Sequence, residues 1–305
     1  MTVGTLPAAE RRRRIRGDGL RFRVGPFLVS LQSPFGAVLH AVELLYAEQP
    51  LEPDGPGAHF QIRVDAPTIW RRLMRPQAQF YLDGRTPFIP LPAGMSALVF
   101  EAGLNWCIGT HANQYIVVHA ATLERDGVGL VMPARPGSGK STLCAALVAR
   151  GWRLLSDEFA LIEPQTGLLR PVPRPIALKD GSIGLIREWW PEAVAGAPML
   201  NNEGQRVAYF RAPPSSVAAS ATRCEPRIVL IPMYRAGAPL TARPLSRAQT
   251  TLHLGDSSFN YNLHGRLGFT RLTEIADRGG AVELEYSALA DGVAFVDRLL
   301  EERRG

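Results

Sequence analysis

The sequence predicts an α/β fold, with a large core and a smaller α+β region before it. The strongest indication is the apolar run 128–132, which is strand-like and leads into a glycine-rich loop. The segment 142–150 then repeats apolar residues at helical spacing, and Gly151 is placed where a helix would end. A second strand-like segment, 152–158, follows at once. Strand, loop, helix and strand in this order are typical of a sheet with parallel strands.

The loop has the composition of a phosphate-binding loop and reads Ala-Arg-Pro-Gly-Ser-Gly-Lys-Ser-Thr over 134–142. In such loops backbone N–H groups point at phosphate oxygens, the lysine reaches a terminal phosphate, and the next hydroxyl contacts Mg²⁺. Ala134 replaces the first glycine of the G-x-x-x-x-G-K-[S/T] pattern. An ordinary glycine turn is the plainer alternative. We predict that ATP or GTP binds through one contiguous set of residues: Pro136, Gly137, Ser138, Gly139, Lys140, Ser141 and Thr142.

Two acidic residues, Asp157 and Glu158, end the strand that follows the helix. Ligands of parallel α/β sheets lie at the carboxyl ends of strands, so we expect these acids to face phosphates held at the helix N-terminus. A carboxylate there can hold Mg²⁺ or accept a proton from an attacking hydroxyl. The predicted metal contacts are Ser141, Asp157 and Glu158. A solvated acidic loop is the alternative interpretation.

His119 lies in a third predicted strand, 115–123, which precedes the strand that carries the loop. Asp126-Gly127 between the two is a hairpin turn signal, so the strands are expected to be neighbours. A single histidine in an apolar strand is more often a packed core residue than a functional one. The strand pattern alone leaves both interpretations open.

The order of these segments resembles the bacterial HPr kinase/phosphorylase family. Val-His-Ala at 118–120, Gly-Ser-Gly-Lys-Ser at 137–141 and the run ending in Ser-Asp-Glu at 150–158 correspond to that family's histidine, phosphate loop and acid pair. This match covers about residues 115–185. A closer resemblance, to the HprK-related kinase A group, extends over most of the chain and includes Ser-Ser-Phe-Asn-Tyr at 257–261. The resemblance implies a P-loop kinase core of the HPr kinase and phosphoenolpyruvate carboxykinase type.

The resemblance also implies roles for single residues. His119 corresponds to the family histidine near the reacting phosphate, and Asp157 corresponds to the general base that acts on the serine hydroxyl. Lys140 and Ser141 correspond to the phosphate and Mg²⁺ contacts. The chain departs from the family where Glu158 replaces an aspartate, and it has no clean copy of the later Glu-x-Arg-Gly-x-Gly run.

Arg174 and Lys179 are further candidates for contact with the nucleotide. Arg174 lies in a proline-rich turn, 170–176, and Lys179 follows it closely. Arginines held by prolines near a phosphate site can stabilise charge during transfer. Exposed basic residues on a rigid loop are an equally good interpretation.

Composition and charge bound the remaining properties. The 305 residues are 46% hydrophobic and 20% charged, as in a globular protein. No apolar run reaches membrane-spanning length, and the cysteines Cys107, Cys144 and Cys224 form no metal pattern, so we expect a cytoplasmic protein. The net charge is +6, and the arginine run 11–14 contributes to it. We interpret that run as part of a solvated basic tail.

These observations predict three regions: a basic, disordered tail at 1–19, an α+β accessory region at 20–112 and the kinase core at 113–305. The favoured function is a Mg²⁺-dependent kinase that transfers the γ-phosphoryl group of ATP or GTP to a hydroxyl of a small protein or peptide, such as one encoded beside this chain. We expect neither nucleic acid nor a membrane as a partner, and the hexamers of the HPr kinase family hint at self-association. The alternatives are an ATP-binding regulatory or scaffold protein without a protein acceptor, and a small-molecule kinase.

Overall fold

The chain forms a mixed α/β fold of two compact units in the computed structural model, which describes residues 1–135 and 137–303. The first unit comprises Met1–His111 with Ala193–Arg211, and the second comprises Ala112–Glu192 with Ala212–Gly305. The sequence predicts residues 193–211 as part of the kinase core at 113–305. That segment belongs to the first unit, where Arg211 forms an ion pair with Glu48 (3.8 Å).

The first unit is built on a five-stranded sheet of order β1-β2-β3-β4-β5, in which β2 and β3 are parallel. Its strands are β1 (Leu20–Val24), β2 (Phe27–Gln32), β3 (Phe60–Asp65), β4 (Gln77–Leu82) and β5 (Leu91–Pro92), and it also contains β12 (Met199–Leu200) and β13 (Arg206–Phe210), which pair antiparallel with each other. Its helices are α1 (Ala8–Arg16), α2 (Gly36–Leu45), α3 (Trp70–Leu73) and α4 (Ser96–His111), with a 3₁₀ turn at Ala93–Met95.

The N-terminal segment contains helix α1, so the prediction of a disordered tail at residues 1–19 is wrong. Helix α1 buries Arg11 and Ile15 and leaves other arginines of the run exposed. The Arg11 guanidinium donates to the carbonyls of Val3 and Leu6 and forms an ion pair with Glu43. Composition alone indicated a solvated run because it ignores that helical spacing turns one arginine inward.

The second unit is built on a larger sheet of order β10-β9-β6-β7-β14-β16-β15, with β8 also paired to β6. The strands of the second unit are β6 (Ile116–Arg125), β7 (Val128–Pro133), β8 (Arg153–Ser156), β9 (Phe159–Ile162), β10 (Leu169–Arg170), β11 (Ile176–Lys179), β14 (Glu225–Tyr234), β15 (Thr241–Leu245) and β16 (Ala281–Tyr286), of which β11 lies outside this sheet. Its helices are α5 (Lys140–Ala149), α6 (Gly181–Trp189), α7 (Pro214–Ala218), α8 (Arg247–Asp256), α9 (Gly265–Gly279) and α10 (Leu289–Arg303), with a 3₁₀ turn at Tyr261–His264.

Strands β6 and β7 form the predicted hairpin, with Asp126 and Gly127 both at positive φ (54° and 80°) as a two-residue type I′ turn requires. Strand β7 is buried along its whole length, and β14 and β16 continue the sheet in parallel to it. The strand before the loop is therefore central in the sheet, as its apolar run predicts.

Gly129 lets β7 approach β14 closely, because a Cβ atom at this position would lie 2.4 Å from the carbonyl oxygen of Glu225. We expect Gly129→Ala to lower the free energy of unfolding by about 2 kcal/mol, since the clash is with backbone that cannot move aside. Gly184→Ala is the matched control, because Gly184 is exposed on α6 with open space around its Cβ position. The control should gain up to about 1 kcal/mol in denaturant unfolding. Equal stability of both variants would contradict the close approach.

Candidate active site

The sheet brings the loop and the acid pair to the same edge. Strands β7 and β8 both run antiparallel to β6, which lies between them. Pro133, at the carboxyl end of β7, pairs with Ala120, and Ser156, at the carboxyl end of β8, pairs with Thr122. The loop after β7 and the acids after β8 therefore emerge on either side of β6, next to His119.

The glycine-rich loop is held in place by the ends of two further strands. Gly137 and Gly139 both have left-handed φ values (83° and 87°), which explains why glycine stands there. A Cβ atom on Gly139 would lie 2.9 Å from both Tyr234 Cβ and the Tyr286 hydroxyl. The Tyr234 N–H donates to the carbonyl of Ser138 (2.9 Å). Pro136, one of the predicted nucleotide contacts, lies outside the described residues.

Helix α5 begins at Lys140, and no side chain among the described residues caps its N-terminus. Gly139 occupies the N-cap, and the first turn contains no acidic residue. The first N–H groups of a helix have no carbonyl partner within it, and the helix dipole adds partial positive charge at this end. Ser141 and Thr142 lie half-buried in this first turn. The helix start therefore offers unsatisfied donors to an anion.

Lys140 is buried, with 7% of its surface exposed. Its Nζ has no hydrogen-bond partner among the described residues and lies 3.8 Å from Glu158 Oε2. An ammonium group carries three donors, and leaving them unused away from water is unfavourable unless a ligand accepts them. This orphaned cation beside an uncapped helix start fits the triphosphate of a nucleotide.

Glu158 connects Lys140 to His119. Its Oε2 lies 3.0 Å from His119 Nε2, and about a quarter of its side chain is exposed. Burial alone would raise the pKa of Glu158, but the hydrogen bond from His119 and the positive charge of Lys140 outweigh burial and hold that pKa below its ordinary value. Glu158 is thus ionised and aligned between two basic side chains.

Asp157 is the buried member of the acid pair. Its Oδ2 accepts the N–H of Ala177 (3.1 Å), and the side chain has almost no exposure. Burial, together with the negative charge of Glu158, raises the pKa of Asp157 from 3.8 to about 7. A carboxyl group with such a pKa exchanges its proton near neutral pH, which suits a general base.

The two further candidates for nucleotide contact, Arg174 and Lys179, lie in different surroundings. Arg174 is buried, and its positive charge opposes the burial that raises the pKa of Asp157, so it belongs to the cluster. Lys179 is exposed at the end of β11, and within residues 1–135 and 137–303 it shares no hydrogen bond or ion pair with the cluster. In the same described part of the chain, no group of three or more His, Cys, Asp or Glu side chains has metal-binding geometry.

The segment 257–260 completes the site from a distant part of the chain. It pairs with the edge of β6 that becomes free where β7 ends at Pro133. The His119 N–H donates to Ser257 O (2.7 Å), and the Phe259 N–H donates to Val117 O (2.9 Å). The Phe259 ring stacks on the His119 imidazole (centroids 6.1 Å apart, 25° between planes). Half of the Phe259 side chain is exposed.

Asn260 fastens this segment to β6. Its buried amide accepts the Val117 N–H (2.8 Å) and donates to Tyr115 O (2.9 Å) and to the Asn113 side chain (3.3 Å). Ser-Ser-Phe-Asn-Tyr enters the sequence prediction only as part of the resemblance, without a role for Phe259 or Asn260. The sequence also gives no role to Tyr234 and Tyr286, which lie against Gly139 of the loop. The rule that ligands lie at the carboxyl ends of parallel strands could have identified them.

No protein-family model matches the chain, and no curated protein matches it. Among solved structures, the Hpr(Ser) kinase/phosphatase from Coxiella burnetii matches at 14% identity and a TM-score of 0.29, over 62% of this chain and 95% of that one. In the described residues no helix has both the length and the apolar character needed to cross a bilayer.

The raised pKa of Asp157 predicts a pH-dependent cost to stability. Between about pH 4 and about pH 7 the folded protein holds a proton that the unfolded chain has lost, so the free energy of unfolding falls as pH rises. Asp157→Asn mimics the protonated acid and should raise the free energy of unfolding by about 1–3 kcal/mol at pH 8, with little change at pH 4. Denaturant unfolding at both pH values measures this. A variant destabilised equally at both would show that Asp157 is not a strained, buried acid.

The role of Asn260 can be tested separately. Asn260→Ala removes the acceptor of the Val117 N–H and the donor to Tyr115 O, and should cost about 1–3 kcal/mol in unfolding free energy. The His119 side-chain NMR signals should also shift, because the same segment carries the stacked Phe259. Asn262→Ala, at an exposed position on the following turn, is the control and should change neither property. Unchanged His119 signals in Asn260→Ala would mean that the segment does not position the imidazole.

Proposed function

We propose that this chain is a Mg²⁺-dependent nucleoside triphosphate kinase of the HPr kinase type, which transfers the γ-phosphoryl group to a serine hydroxyl of a small protein or peptide. The observation that carries the proposal is the buried Lys140 ammonium, which has no hydrogen-bond partner among the described residues. It lies at an uncapped helix start and 3.8 Å from the acid that contacts His119. This arrangement combines an anion site with acid and base groups.

The loop and helix start would bind and orient the nucleotide. The N–H groups at the start of α5 and the Lys140 ammonium are the donors for the β- and γ-phosphate oxygens. Ser141, Asp157 and Glu158 would hold Mg²⁺, which neutralises phosphate charge when bound. Arg174 adds a buried positive charge to the same cluster. Much of the catalysis in phosphoryl transfer comes from such positioning and neutralisation.

Asp157 is suited to take the proton from the acceptor hydroxyl. Its raised pKa makes it a stronger base than an exposed carboxylate while leaving it partly ionised near neutral pH. His119 is held by Glu158 and Phe259, so its imidazole has a fixed direction. From there it would orient the transferring phosphoryl group. Glu158 thereby has two tasks, since it aligns His119 and balances the charge of Lys140.

Nucleotide affinity should depend on one of the two lysines of this chain and not on the other. We expect Lys140→Met to weaken binding of Mg²⁺ with a fluorescent ATP analogue by at least about tenfold, because the variant keeps the buried hydrocarbon and loses the cation. Lys179→Met removes the same charge from an exposed strand end and should bind as the wild type does. Titration by fluorescence anisotropy compares the two. Full affinity in Lys140→Met would contradict the phosphate site.

The transfer itself can be tested by intact mass. Small proteins and peptides encoded beside this chain would be incubated with the wild type, Mg²⁺ and ATP, with the Lys140→Met variant as control. We expect one candidate to gain a single phosphoryl group with the wild type only. If ATP binds but no candidate gains mass, a nucleotide-dependent regulatory protein or a small-molecule kinase becomes the better account. The gain of mass with both proteins would point to a contaminating kinase.

A further inference from the structure

The connection between β3 and β4, in the first unit, carries an unusual group of exposed apolar side chains. Residues 68–76 are all exposed. Four large apolar residues lie among them with about 70% of their surface in solvent: Ile69 72%, Trp70 69%, Leu73 73% and Met74 67%. Isolated exposed apolar residues are common, but a tryptophan and three aliphatic side chains within six positions mark an interaction surface.

The segment is an ordered turn. The Arg71 N–H donates to the Thr68 hydroxyl (3.2 Å), and the Met74 N–H donates to the Trp70 carbonyl (2.7 Å). Helix α3 spans Trp70–Leu73, and Ile69 before it also has helical φ and ψ. The apolar side chains are therefore presented together by a defined backbone.

Apolar and basic residues lie on opposite sides of this turn. At 100° per residue, Ile69, Trp70 and Leu73 fall on one side, and Arg71 and Arg72 fall on the other. Arg75 follows within two residues of the helix end and is also exposed.

Two of the three arginines, Arg71 and Arg75, have positive charges that no carboxylate among the described residues balances. Arg72 forms an ion pair with Asp65 (2.7 Å). Arg71 and Arg75 form no ion pair with any other described residue. The net charge of +6 adds a general attraction to negative surfaces.

We propose that this amphipathic turn, residues 69–75, binds the interface of an anionic lipid membrane. Trp, Ile, Leu and Met side chains would enter the boundary between headgroups and acyl chains, and Arg71 and Arg75 would contact lipid phosphates. Because Ile69, Trp70, Leu73 and Met74 are each about 70% exposed within the described part of the chain, the turn projects into solvent and does not form a groove. Projections of this kind suit insertion into an interface, whereas peptide ligands are usually held in grooves. The proposal revises the sequence-based expectation of no membrane partner, which considered only spanning segments.

The test uses the full chain and sedimentation with vesicles of phosphatidylcholine alone or with about one-third phosphatidylglycerol. We expect binding to the anionic vesicles that weakens as salt is raised. Trp70→Ser with Leu73→Ser should reduce it at least about tenfold, because the apolar contact is lost. Arg71→Gln with Arg75→Gln should remove the preference for anionic vesicles.

A charge-matched control separates this turn from general basicity. Arg12→Gln with Arg16→Gln removes two exposed arginines from α1 and should bind as the wild type does. Equal loss in the control and in the Arg71 and Arg75 variant would overturn the proposal, because any basic patch would then serve. Absence of binding to both vesicle types would also overturn it and would leave a protein partner as the occupant of the turn.

Discussion

The site in the second unit is organised around a lysine ammonium held away from water. Burying a charge is unfavourable by several kcal/mol unless partners compensate. Here Glu158 compensates in part, at 3.8 Å, and is itself held by His119. The donors that remain on Lys140 are the groups that the proposed anionic ligand would satisfy. The strained acid Asp157 fits the same interpretation, because functional sites often retain groups that lower stability.

Strand β6 makes this arrangement possible because it is longer than its neighbours. On one edge its first half pairs with β9 and its second half pairs with β8, and the acid pair lies between these two strands. The Ser156 hydroxyl shapes that connection by accepting the N–H groups of Glu158 and Phe159 (3.2 and 3.0 Å). On the other edge β7 ends opposite Ala120, where the chain departs into the loop. The segment 257–260 then covers the exposed remainder of β6. The loop, the acids and His119 are thus placed by strand lengths rather than by flexible side chains.

Local patterns predicted much of this region. The hairpin of β6 and β7, the glycines at left-handed φ, the helix after the loop and the acids after β8 all follow from short-range sequence signals. Contacts between distant parts of the chain could not be predicted in that way. Asn260 bonds to Val117 across 143 positions, and a single sequence gives no signal for that pairing. The same limit applies to residues 193–211, because their mixture of apolar and polar residues does not indicate that they pack in the first unit.

The most direct measurement is a crystal structure of the chain with Mg²⁺ and a nonhydrolysable ATP analogue. The account predicts that phosphate oxygens lie within hydrogen-bond distance of Lys140 Nζ and of the N–H groups at the start of α5, with the γ-phosphate beside His119 and Asp157. A nucleotide bound elsewhere, or a triphosphate that leaves Lys140 without a contact, would contradict it.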